Sequence, residues 1–162
     1  MPAPIPGGPG WQMNGDTLRA EVTDLSMFLA AHADDPFLDV VVALFQSEPG
    51  AARAALDPML TKAPADIRLL ALEADVWRDE GRFDEASDRY RRPIWGTSRP
   101  SLLATLTQHL GKVHFAARQF GDAAECFERA LALRVDNGAS VDLVESSRRA
   151  LERANEEQRA GS

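Results

Sequence analysis

Three histidines (His32, His109, His114), a single cysteine (Cys126) and one glycine-rich stretch, GGPG at Gly7–Gly10, are the groups in this 162-residue sequence whose types could carry chemistry. An imidazole acts as general acid or base, or as a metal ligand, when a carboxylate or thiol stands beside it. None of the three has such a neighbour at ligand spacing along the chain, which predicts neither a metal site nor an acid–base pair. Cys126 adjoins Phe127 with no basic residue to lower its pKa, so it reads as a small buried hydrophobe rather than a nucleophile. The GGPG stretch lacks the Lys-Ser/Thr ending and strand-to-helix setting of a phosphate loop. Paired acids such as Glu156-Glu157 read as a solvated face. The expectation is a protein that is not an enzyme and holds no cofactor. A small enzyme using His109 or His114 is the alternative, and loss of an activity on changing both to Ala would establish it.

Composition narrows the partners. Lys plus Arg number 18 against 25 Asp plus Glu, a formal charge of −7, with a pI near 4.9. Such a balance repels phosphate backbones, so no nucleic-acid partner is expected. The longest apolar run, Pro36 to Phe45, is broken by Asp39 and falls short of the roughly 20 residues a membrane span needs. The N-terminus MPAPIPGGPG has neither the basic nor the apolar region of a secretory signal, and one cysteine excludes an internal disulfide. A cytoplasmic protein follows. Arginine outnumbers lysine, which occurs only at Lys62 and Lys112, a usage that points to a GC-rich bacterial genome.

Those groups must be positioned by helices. Residues 1–15 are dense in Pro and Gly and read as a flexible tail. One domain over residues 16–160 follows. Asp16 is a helix cap for a first helix at 17–32, its stripe formed by Leu18, Val22, Leu25 and Leu29. Further helical patterns run from Ala51 to Thr61, Asp66 to Glu80, Asp84 to Arg91, Leu102 to Arg118 and Asp122 to Arg134, with a capping helix at 140–158. No segment alternates with period two. The fold class is therefore all-α.

The helical patterns repeat. Leu110, Gly111, His114, Phe120, Ala123, Phe127 and Ala130 form one unit; Ala74, Trp77, Phe83, Ala86 and Tyr90 form a second; Val40, Ala43, Ala52, Leu56 and Pro64 form a third. This pattern resembles the tetratricopeptide repeat, with units at about 33–66, 67–100 and 104–137. The resemblance implies antiparallel helix pairs stacked as a short right-handed superhelix, an α-solenoid, with flanking helices. In that register His114 replaces a core aromatic, and Trp77, Tyr90, Phe120 and Phe127 are expected buried between layers. The second unit exceeds the 34-residue register by three, and Pro93 falls within its second helix. That helix is expected to end a turn early, the chain crossing to the next through a longer loop.

The resemblance also implies a concave groove lined by the first helix of each unit. It would present Phe37, Val41 and Leu44, then Arg68, Asp75 and Arg78, then Gln108, Lys112 and Phe115. The N-terminal helix packing over Phe37, Val41 and Leu44 is the competing reading of the apolar end. A second candidate surface is the loop, where Arg91, Arg92 and Arg99 surround Trp95 as an interface anchor would. Trp95 is expected partly buried. The function this implies is a non-enzymatic adaptor or scaffold, taking a peptide or helix of another protein into its groove, without membrane or nucleic acid and with a homodimer as an option. The narrower alternative is a chaperone, since three such units behind an N-terminal helix resemble in layout the translocator chaperones of bacterial type III secretion.

Overall fold

The computed structural model describes residues 1–162 and is mostly helical, with a small three-stranded sheet at its N-terminal end. The helices are α1 (Leu25–Ala31), α2 (Leu38–Phe45), α3 (Pro49–Lys62), α4 (Ile67–Asp79), α5 (Phe83–Gly96), α6 (Pro100–Ala116), α7 (Phe120–Asp136) and α8 (Val141–Ala160). Local chemistry starts several of them. The side chains of Asp24 and Asp66 accept from the backbone N–H groups of Met27 and Leu69, and Pro49 and Pro100 occupy first-turn positions where no donor is missed.

From α2 onward each helix packs against the next, and α2 with α4 and α4 with α6 also touch. The core accordingly falls into three successive clusters. Val40, Leu44, Leu56, Leu69 and Val76 fill the first, and Tyr90, Ile94, Leu106, Leu110 and Val113 the second. Phe115, Phe127, Ala150 and Ala154 join the sheet in the third. Four helices end in the same device, a left-handed residue at Ser47 (φ 61°), Gly81 (79°), Arg118 (61°) and Gly138 (64°). In each case its N–H, and that of the next residue, bond back to carbonyls of the last turn, as Gly81 does to Arg78 and Arg82 to Trp77.

The N-terminal expectations require correction. Residues 1–15 are not a structureless tail, and 17–32 is not one helix. Strands β1 (Ile5–Gly8), β2 (Trp11–Met13) and β3 (Ala20–Val22) pair antiparallel, with Ile5 opposite Met13 and Met13 opposite Ala20. The few large apolar residues of this segment are the ones that anchor it: Ile5, Met13 and Leu18 are all buried against α6, α7 and α8. The Asn14 carboxamide accepts from the N–H groups of Asp16 and Thr17 and turns the chain, so Asp16 caps nothing and Leu18 takes a left-handed φ of 55°. Glycine serves close approach here rather than flexibility. Gly10 has φ 76°, and a Cβ on it would stand 2.4 Å from the carbonyl oxygen of Asp24.

Pro93 does not end its helix. α5 continues to Gly96 with Pro93 and Ile94 buried, leaving Thr97–Arg99 as the whole connection to α6. Burial of Ile94 in the second cluster offsets the lost backbone bond. Trp95, expected to fold back, is instead 82% exposed. Tyr90 and Phe127 are fully buried, whereas Trp77 and Phe120 are only half-buried. Trp77 lies against the guanidinium groups of Arg82 and Arg89, 5.0 and 4.9 Å from its ring.

Candidate functional site

Three alternate helices, α2, α4 and α6, turn one face each toward a cavity of about 270 Å³. Val41, Leu44 and Phe45 supply an apolar wall from α2. Residues Arg68, Ala71, Leu72, Asp75, Arg78 and Asp79 of α4 recur at three- and four-residue spacing, which puts them on one helical face. α6 contributes Thr105, Leu106, His109 and Lys112 on the same logic. Trp11 and Ala20 of the N-terminal sheet, with Arg19 just before β3, roof part of the opening. Trp11 packs on Phe45 with ring centroids 5.2 Å apart, and Arg19 reaches Asp79 at 2.8 Å and the Ser47 hydroxyl at 3.2 Å.

The polar floor is organised around Asp75, a nearly buried carboxylate. It accepts from the Tyr90 hydroxyl at 2.8 Å and the Arg78 guanidinium at 3.1 Å, and lies 3.2 Å from His109 Nδ1. Burial alone would raise its pKa, but the Arg78 charge, His109 and the Tyr90 hydroxyl outweigh burial and hold it well below the usual carboxylate range. Burial, with Asp75 beside it, pushes the Tyr90 phenol well above its ordinary value. Tyr90 therefore donates and does not ionise. The Asp75–His109 pair was hidden from a search for neighbours along the chain, because the partner sits 34 residues away, on another helix. Such a pair fixes the imidazole's tautomer. The one hydroxyl within reach of His109 is Tyr90, at 3.3 Å, already committed to Asp75.

Lys112 is the unusual cation. Arg78 and Arg19 are neutralised by Asp75 and Asp79, and Arg68 by Asp35. Lys112 makes no ion pair. Burial first, and the Arg78 charge second, lower its pKa to about 8 against a smaller opposing pull from Asp75. The lining carries four cations, Arg19, Arg68, Arg78 and Lys112, against two carboxylates, Asp75 and Asp79. The surplus is positive in a chain whose net charge is −7.

Of the nine groove residues expected from sequence, the structure brings Val41, Leu44, Arg68, Asp75, Arg78 and Lys112 to this one cavity. Phe37 stands beside it, its ring 4.8 Å from the Arg68 guanidinium. Gln108 does not face the cleft; it is buried and accepts from the Ser147 hydroxyl of α8 at 2.7 Å, in a chain that continues to Arg134. Phe115 points to a second, larger cavity on the far side of Lys112. Arg91, Arg92 and Trp95, which lie on α5 rather than in a loop, and Arg99 are all exposed, and none of them lines either cavity.

Sequence reasoning missed Trp11, Arg19, Asp79 and His109 as cleft residues. Asp79 is four residues after Asp75 and His109 three before Lys112, so helical spacing alone places them on faces already assigned. Trp11 and Arg19 carried no such signal. No three His, Cys, Asp or Glu side chains converge as a metal would require, and burial pushes the Cys126 thiol up to about 11. No family model matches the chain, and no curated protein or solved structure matches it.

Proposed function

We propose that the chain is a tetratricopeptide-like interaction module whose cleft between α2, α4 and α6 takes a short segment of a partner protein. The observation that carries this reading is the lining itself, drawn from every second helix and from positions three and four apart on each. The helix-ending turns support the same register: Ser47 to Gly81 is a step of 34 residues and Gly81 to Arg118 a step of 37. Alternate helices in contact, with their partners behind them, are the packing expected of stacked helix pairs in a short right-handed superhelix. The N-terminal sheet restricts what enters. A cavity of about 270 Å³ accepts a large side chain with its flanking backbone, but not a helix about 10–12 Å across. Its apolar wall on α2 and the unpaired Lys112 favour a segment with an apolar anchor next to an acidic residue.

A selection from a displayed random-peptide library tests this. Thr105 is exposed at the cavity mouth, so Thr105→Trp obstructs entry with little effect on folding, and Lys112→Glu reverses the free charge. Peptides selected on the wild-type protein are expected to carry an acid beside an apolar residue and to lose at least about tenfold in affinity for either variant. Peptides that bind both variants as well as wild type contradict the reading.

A second surface has one observation in its favour. Trp95 is 82% exposed among exposed arginines at the end of α5, the composition of an interface anchor.

A further inference from the structure

The larger cavity, about 530 Å³, lies on the other side of Lys112 and shares Arg19, Arg78, Asp79 and Lys112 with the cleft. Its volume is in the range of small-molecule sites. It is bounded by the N-terminal segment Asp16–Arg19, the end of α4, the start of α5, the last turn of α6, the turn into α7 and α8. Five cations line it against three carboxylates, Asp16, Asp79 and Glu157. Every one of those carboxylates is already engaged. Asp79 binds Arg19 and Arg78, while Asp16 and Glu157 both bind Arg153. Two cations are left over, Lys112 and Arg118, and neither has a carboxylate partner.

Of the seven uncharged lining residues three are aromatic. Phe83, Phe115 and Phe120 contribute rings, with Phe115 and Phe120 edge to face at 5.3 Å. Arg118 lies over the Phe120 ring at 5.4 Å and is held at φ 61°, a conformation that two equivalent turns give to glycine. Arg118 is exposed, and it lines the cavity that also holds the unpaired Lys112. The two head groups and the rings lie on one concave surface.

We propose that this cavity binds a small organic oxyanion, a carboxylate or phosphate carried on an aromatic body, with the anionic head on Lys112 and Arg118 and the ring among Phe83, Phe115 and Phe120. A half-buried ammonium without a counter-ion gains more from an anion than an exposed one does, because the surrounding protein screens the attraction less. The phenyl rings supply the apolar contact that free phosphate cannot use.

Calorimetric titration of the full-length protein with 1-naphthyl phosphate, 1-naphthoate, inorganic phosphate and neutral 1-naphthol tests the proposal. Saturable binding of at least one naphthyl anion is expected, at least about tenfold tighter than 1-naphthol and than inorganic phosphate. Lys112→Met and Arg118→Gly should each weaken that binding at least about tenfold. Glycine suits the left-handed φ at 118, so the second variant folds; it removes the guanidinium together with its stacking on Phe120. Thr105→Trp, which obstructs the smaller cavity, should leave naphthyl binding unchanged. The proposal is overturned if neither anion binds saturably, if 1-naphthol binds as tightly, if both charge variants bind like wild type, or if Thr105→Trp abolishes binding.

Discussion

Replacing Gly111 by Ala adds one methyl group at the tightest point between α6 and α7. Its Cβ would stand 2.6 and 2.8 Å from two carbons of the Phe127 ring and 3.0 Å from Cys126 Cβ, where unstrained carbon contacts fall at about 3.5–4.0 Å. Phe127 is fully buried, so relief requires the ring or the two helices to shift by about 1 Å. Overpacking of this kind costs about 1–3 kcal/mol. Alanine's better helix propensity offsets up to about 1 kcal/mol of that. The clash is isolated by comparison with Gly50→Ala in α3, where an added Cβ meets nothing within 4 Å. Gly50→Ala is expected neutral to stabilising, and Gly111→Ala about 1–3 kcal/mol less stable than it. For a domain of this size 1 kcal/mol moves the melting temperature by about 2–4 °C, so thermal unfolding followed by circular dichroism separates the two by several degrees. Equal melting temperatures within about 1 °C would refute the close α6–α7 packing.

Deleting residues 1–13 removes Ile5 and Met13 from the third cluster; at about 1.5–3 kcal/mol for each buried side chain the truncated protein should be about 3–6 kcal/mol less stable by urea titration. An unchanged midpoint would show that the sheet does not pack. Asp75→Asn should cost about 3–5 kcal/mol by leaving Arg78 short of its buried partner. Because the folded-state pKa of Asp75 lies below its unfolded value of 3.8, its stabilisation is present above that pH and lost as pH falls below it. The acid-induced loss of stability in wild type should therefore shrink in the Asn variant, and identical acid profiles would argue against the Asp75 hub. Trp95→Ala should change stability by less than about 0.5 kcal/mol, and the Trp95 contribution to fluorescence should be readily quenched by acrylamide; a clear loss of stability would place that ring in the core.

The helices from α3 to α8 were legible because their apolar residues recur at helical spacing and their ends carry turn residues such as Gly81 and Asn137-Gly138. The N-terminal sheet was not. Its strands span three or four residues each, too short for alternation to register, and its glycines and prolines read as disorder when they permit close approach. Pro93 misled for a related reason: a rule about backbone donors does not know that Ile94 is buried next to it. In the cleft, Asp75, Arg78 and Lys112 were legible from the register of the resemblance, whereas the Asp75–His109–Tyr90 contacts join residues 15 to 34 apart that only packing brings together. Gln108 was assigned to the groove one helical position away from His109, which took that place. Small errors of face, about 100° per residue on a helix, separate a cleft residue from a core residue.

Two of the three tryptophans report on the competing surfaces and the third is a control: Trp11 roofs the cleft, Trp95 marks the end of α5, and Trp77 lies between Arg82 and Arg89 away from both. Titrating a library-selected peptide into ¹⁵N-labelled protein and following the three indole N–H resonances therefore asks directly where a partner segment binds. Binding in the cleft predicts a saturable shift of Trp11 with Trp95 and Trp77 unmoved, and loss of that shift in Thr105→Trp. A saturable shift of Trp95 with Trp11 unmoved would contradict it.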